Sequence, residues 1–182
     1  MCAVRPIEEA RIYSRTPDKV AALIQEFASR PGNRVRLIAA TSPRDALRDA
    51  DIVCATTTSK VPIFDDADLP DGVHINAVGS YTRDAREIPP DTVRRALVVV
   101  DNRDAAWQEA GDLIQPLEAG LFDRGHIHAD LGELVLGKKP GRTDERQITF
   151  FKSVGLAVQD AVAARQALEN ARRAKLGREV DW

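Results

Sequence analysis

The stretch DIVCATTTSK, residues 51–60, sets the reading of the whole chain: a short apolar run led in by an acid and released into a cluster of hydroxyls and one cation. A run of this length with β-branched residues, bounded by polar punctuation, predicts a buried strand over 51–56 that opens into a loop. Just before it, Ser42-Pro43 predicts the start of a short helix through Leu47. Residues 35–39 form an earlier strand and residues 10–14 a first one, after which Thr16 caps a helix with Pro17 in its first turn. Val20, Leu23, Ile24 and Phe27 give that helix one apolar stripe, and Pro31-Gly32-Asn33 ends it.

Working outward in the other direction, Pro70-Asp71-Gly72 is a turn that launches a strand over 73–79. An uninterrupted apolar run at 97–100 and a last strand at 148–151 follow, separated by a helical segment after Arg103 and a glycine-spaced stretch over 120–141. From Val154 a long helix carries Val158, Ala161 and Leu168 on one face until Gly177 stops it, and the final residues are expected to fray. Alternating strands and helices with continuous apolar strands imply an α/β fold with a doubly wound, mainly parallel sheet covered on both faces.

The 182 residues suit one domain, and 26 Lys and Arg against 28 Asp and Glu leave no strong field to attract nucleic acid or anionic lipid. Small-molecule chemistry is the class that remains. Two cysteines make no disulfide framework, and Cys54 sits in an apolar run where a reduced, buried thiol is expected, which favours the cytoplasm. No apolar stretch is long enough to span a bilayer.

In an open parallel sheet, ligands bind beyond the carboxyl ends of the strands. Four ends stand out. At Ser14-Arg15-Thr16, an NAD-binding fold would present an acid to the adenosine ribose; here Arg15 and two hydroxyls suit a 2′-phosphate, pointing to NADP with NAD as the second choice. The plain alternative is a helix cap beside a solvated arginine. Thr56 to Lys60 either lines a cofactor crevice or is simply a polar loop. Gly79, after Val78, lets a flat ring approach the backbone or is a turn glycine. Asp101-Asn102-Arg103 reads best as a helix cap with a neighbouring ion pair. Lys152-Ser153 precedes the last helix, where a serine cap and helix N-terminus can hold a carboxamide or an anion. His126 and His128 lack further ligands in the sequence, so no metal is expected.

Six segments, taken together and in order, resemble one family: VRPIEEARIYSRTP (4–17), DIVCATTTSKVPIF (51–64), HINAVGSYTRDAREI (74–88), VVVDNRDAAWQEAGDL (98–113), HIHADLGELVLGKKPGRTD (126–144) and ITFFKSVGLAVQD (148–160). They are similar to the ornithine cyclodeaminase and mu-crystallin family. The resemblance implies a Rossmann-like NAD(P)-binding domain with Ser14, Arg15 and Thr16 at the adenosine end and Thr56, Thr58, Val78, Gly79 and Ser153 near the cofactor. It implies a small amino or imino acid substrate, acted on either by cyclodeamination or by imine reduction alone. It also implies a two-domain subunit whose N-terminal domain builds the substrate site and the dimer interface.

Two departures qualify that expectation. The cyclodeaminase pattern has an acid two residues after the glycine matched by Gly79, where this chain has Tyr81, which counts against cyclodeaminase activity; Asp84 does not match the position. No G-x-G occurs in the sequence. The chain, 1–182, is therefore expected to be a partial dinucleotide-binding domain with a C-terminal helix, lacking the first strand, its glycine turn and the N-terminal domain. The absent strand would lie between the strands at 10–14 and 51–56, so the sheet is expected to split and catalysis to need a complementing N-terminal fragment or a homo-oligomer. A non-catalytic ligand-binding or interaction module of the mu-crystallin kind is the competing expectation. A flavodoxin-like regulator fits the alternation but not the ordered segments.

Overall fold

The computed structural model describes residues 1–178 and 180. Two parallel sheets carry the fold. The smaller pairs β1 (Glu9–Ile12) with β2 (Arg36–Ala39), joined by α1 (Pro17–Ala28). After α2 (Pro43–Leu47), the larger sheet takes β3 (Ile52–Ala55), β4 (His74–Ala77), β5 (Leu97–Val100), β6 (Ile127–Asp130) and β7 (Thr149–Lys152) in the order β3-β4-β7-β5-β6, all neighbours parallel. The α/β class is as expected, and β1 and β3 end in separate sheets. They are tied across the break by α2 and by the Arg11 guanidinium, which donates to the carbonyl of Arg48.

Register fixes which side chains share a face. Val53, Ile75, Phe150 and Val98 align on one row, as do Ala55, Ala77, Lys152 and Val100 on the next but one. This face is the core: Ile75, Ala77, Phe150, Val98 and Val100 are fully buried. It packs against Leu47 of α2, Val93 of α3 (Pro90–Arg95) and Ala96 just after it, Ala106 and Trp107 of α4 (Arg103–Glu109) and Leu113 of α5 (Gly111–Glu118). Burying side chains of this size contributes about 1.5–3 kcal/mol each.

The opposite face is unlike the two-sided cover the pattern predicts. His74, Asn76, Thr149 and Phe151 are only half-buried, and Cys54, expected to be buried, is exposed beside the break. The reason is visible in α7 (Ala157–Ala174), an 18-residue helix with no buried residue, whose Val158, Val162 and Leu168 are 63%, 64% and 52% exposed. Its apolar stripe therefore faces solvent in the described structure.

Element boundaries shift in instructive ways. The last helix begins at Ala157, not Val154, and it ends at Ala174 with Lys175 in the left-handed region, two residues before Gly177. The stretch 120–141 is not merely a glycine-spaced loop: it contains a 3-10 turn (Arg124–His126), β6 and α6 (Leu131–Val135). Asp130 and Glu133 form a capping box that starts α6, and Arg103 reaches Glu133 at 3.3 Å. Of the terminal residues expected to fray, 179, 181 and 182 lie outside the described residues. No described helix is long and apolar enough to cross a membrane.

Candidate coenzyme site at the strand ends

The core rows of the large sheet run in register to its carboxyl edge, so the residue after each strand must fall on a common line. Three further hydrogen bonds extend the ladder by one rung: Val78 N–H to the Ala55 carbonyl at 3.0 Å, Ser153 N–H to Ala77 at 3.1 Å and Asp101 N–H to Lys152 at 3.3 Å. Thr56, Val78, Ser153 and Asp101 thus stand side by side across four strands. This brings together Thr56, Thr58, Val78, Gly79 and Ser153, which the sequence places up to about a hundred residues apart.

Each member has a distinct availability. Thr56 and Thr58 are exposed, and among the described residues their hydroxyls have no protein partner. Thr57, between them, accepts the Ser59 N–H on its hydroxyl at 3.1 Å. Val78, level with Thr56 in the ladder, presents 46% of its surface to solvent. Gly79 has no left-handed backbone; it is required by close packing, because a Cβ there would lie 2.0 Å from the Thr57 carbonyl oxygen and 2.6 Å from the Glu87 carboxylate. The turn reading of Gly79 is thereby replaced by one in which two loops touch.

Ser153 does not cap the last helix. That helix begins four residues later with Leu156 as its uncapped N-terminal flank. Instead the Ser153 hydroxyl donates to Asp101 Oδ2 at 2.8 Å, and the Val154 and Gly155 N–H groups donate to the same oxygen at 3.0 and 2.7 Å. Asp101 is therefore a loop anchor, and the adjoining Asn102 is the true cap, accepting Ala105 N–H at 2.9 Å.

Beneath the row lies a buried charged network that sequence reading missed. Glu87, Asp112, Lys152 and Ser80 are all fully buried. Asp112 accepts the Ser80 hydroxyl at 2.9 Å and the N–H groups of Glu87 and Ile88 at 2.7 and 2.9 Å. Lys152 Nζ lies 3.2 Å from Asp112 Oδ2, a close ion contact that is off the hydrogen-bonding direction. Asp112 and Lys152 balance each other, and removal of either would leave the other desolvated and unpaired, whereas Glu87 has no ion-pair partner among the described residues. The available signal was slight: single carboxylates set directly before apolar residues, Ile88 after Glu87 and Leu113 after Asp112.

Ser14, Arg15 and Thr16 lie in the connection between β1, a strand of the smaller sheet, and α1. All three are exposed; Thr16 N–H donates to Ser14 Oγ at 3.2 Å, and Thr16 flanks α1 without a side-chain cap bond. Arg15 has no protein partner among the described residues. His126 and His128 each donate a ring N–H to a main-chain carbonyl, of Val93 at 2.7 Å and Pro140 at 2.8 Å.

A family model described as the ornithine cyclodeaminase/mu-crystallin family matches residues 1–175. The chain belongs to this family. It is 39% identical over 181 residues to a Delta(1)-pyrroline-2-carboxylate reductase of Bacillus cereus, covering 99% of this chain and 55% of that protein. It is 35% identical over 158 residues to the ketimine reductase mu-crystallin of Mus musculus, covering 87% of this chain and 46% of the mouse protein. Among solved structures, the Thermococcus litoralis Delta(1)-pyrroline-2-carboxylate reductase in complex with NADH and L-proline is similar with a TM-score of 0.91 and 40% identity, over 98% of this chain and 55% of that one. An archaeal alanine dehydrogenase dimer with bound NAD gives 0.87 and 25%. The chain spans about half the length of the curated relatives it matches.

Tyr81, two residues after Gly79, is 60% exposed. Asp84 is held by Lys60 at 2.6 Å, a contact that joins the loops after β3 and β4. The Lys60 hydrogen bond pushes the Asp84 carboxyl below its ordinary range, and the same bond pushes Lys60 up.

Proposed function

We propose that this chain forms the coenzyme-binding part of an NAD(P)H-dependent reductase of cyclic imino acids. The observation that carries the proposal is the row at the carboxyl edge: two unpartnered hydroxyls, Thr56 and Thr58, beside the exposed Val78 side chain and the anchored Ser153 loop. Such a set suits a flat, polar-edged ring and its ribose, with apolar surface on one side and hydroxyls on the other. A reduced nicotinamide, when bound, supplies the hydride for a C=N bond.

In this reading Val78 flanks the ring, the close approach at Gly79 keeps the edge flat, Thr56 and Thr58 orient the ribose, and Ser153 holds the carboxamide. Ser14, Arg15 and Thr16 bind the adenosine end, where the unpartnered Arg15 guanidinium favours a 2′-phosphate and hence NADPH over NADH. The donor set fits the two ends of a dinucleotide but not its middle: without a G-x-G, the pyrophosphate lacks a backbone N–H cradle. These residues are accordingly read as one part of a dinucleotide-binding domain, working in the cytoplasm beside a further portion that supplies the pyrophosphate cradle, or as a homo-oligomer. Tyr81 in place of an acid supports imine reduction over cyclodeamination.

The test combines this chain with the portion of the Bacillus cereus relative that it does not cover. Saturable NADPH binding, and NADPH oxidation that depends on Delta(1)-pyrroline-2-carboxylate, are expected from the complemented protein. Binding without turnover across cyclic imino acids would favour the non-catalytic module, which the Tyr81 departure also suits. No saturable binding of either coenzyme would remove the proposal altogether.

A further inference from the structure

We infer that Glu87 is a positioning residue for the coenzyme, a single buried carboxylate that fixes the spacing between the loops after β3 and β4. The inference rests on the proposed reading of those loops as the coenzyme edge. Beyond the last ladder bond, Val78 N–H to Ala55, the two loops have run out of strand partners. Their next inward N–H groups nevertheless need acceptors, because buried backbone donors left unpaired are costly. Glu87 supplies both: Oε2 accepts Gly79 N–H at 2.8 Å and Oε1 accepts Thr57 N–H.

The carboxylate is itself held rigidly. Its backbone N–H donates to Asp112 Oδ1 at 2.7 Å, and its carbonyl accepts Ile63 N–H at 2.9 Å. It is fully buried, and among the described residues no cation lies within ion-pair distance of it. The two backbone donors are thus its direct stabilisation, which ties its charge to the loops rather than to a salt bridge. The missing side chain at Gly79 completes the arrangement, since a Cβ would stand 2.6 Å from both carboxylate oxygens. Thr57 and Gly79 sit directly beside Thr56, Thr58 and Val78, so this clamp sets the geometry of the groups proposed to touch the coenzyme without touching it itself.

Glutamine is nearly the same shape but offers one acceptor oxygen, its NH2 facing the second backbone donor. In Glu87→Gln, amide hydrogen exchange at Thr57 or Gly79 is expected to rise at least about tenfold, and the Kd for NADPH of the complemented protein to rise by about tenfold. Amides of Val98 and Phe150 in the core should keep their protection. Glu87→Asp keeps two acceptors on a shorter arm and should recover part of both losses; it also serves as the second variant if Glu87→Gln does not fold. Unchanged exchange at both loop amides in a folded variant overturns the clamp. Raised exchange with unchanged NADPH affinity overturns the positioning role. If the wild-type complemented protein binds no coenzyme, the proposed function and the positioning role fall together, while the exchange comparison still decides the clamp.

Discussion

At the carboxyl edge of the large sheet, a buried carboxylate stands behind each loop of the candidate site: Glu87 behind those after β3 and β4, Asp101 behind the one after β7. At the end of β1, Ser14, Arg15 and Thr16 are exposed and share one local hydrogen bond. The two regions teach different kinds of site building. A region whose backbone is held by several independent acceptors can present hydroxyls in fixed positions, which is what orienting a ring demands. A region with a long, free guanidinium can select for charge without a rigid frame, because the arginine fork carries its own geometry.

The largest expected effect breaks the rigid region. Asp112→Ala removes the acceptor of three donors and strands the buried Lys152, so a stability loss of about 3–5 kcal/mol is expected in a denaturant titration. A loss of a few tenths would show that the network does not hold the edge. The exposed region should respond in the opposite sense. Arg15→Ala is expected to leave stability within about 0.5 kcal/mol, yet to lower NADPH affinity relative to NADH by about tenfold or more, read by parallel titrations of the complemented protein. An unchanged coenzyme ratio would return Arg15 to the status of a solvated helix-flanking residue.

The smallest effect belongs to the uncovered face of the sheet. Burial pushes the His74 imidazole below its ordinary 6.5, with the charges of Arg142 and Arg5 adding and the Asn76 hydrogen bond opposing. The folded state therefore favours neutral His74, and its stability contribution is present above 6.5 and is lost as the pH falls toward the lowered value. Thermal unfolding of the wild type should shift down between about pH 7.5 and 5.5 by a few degrees more than that of His74→Gln. Equal shifts would mean that this face is as well solvated as an unfolded chain.

Much of the architecture was legible because it depends on local periodicity. The apolar runs at 97–100 and 148–151 announced β5 and β7, and Ser42-Pro43 announced α2 with its cap, Ser42 accepting Asp45 N–H at 3.1 Å. The strand β6 was not legible: its sequence IHAD is too short and polar to stand out, and it is defined by pairing with β5. The half-open face was also hidden, although β4 alternates His74, Ile75, Asn76 and Ala77, half-buried and buried in turn. In the candidate site, Thr56, Thr58, Val78, Gly79 and Ser153 could be named from strand ends and the family resemblance. Ser153 was assigned the wrong local job, since a serine ahead of a helix resembles a cap and the partner that claims it, Asp101, is 52 residues away.

The sequence by itself determined the α/β class, the family and the set of strand ends from which a coenzyme site can be made, because strand periodicity and ordered motifs are properties of neighbouring residues. Only the tertiary structure decided that Glu87, Asp112, Lys152 and Asp101 support that site. Their significance comes from burial and from acceptors shared between distant loops, and a carboxylate in a sequence does not carry the address of the N–H groups it will satisfy.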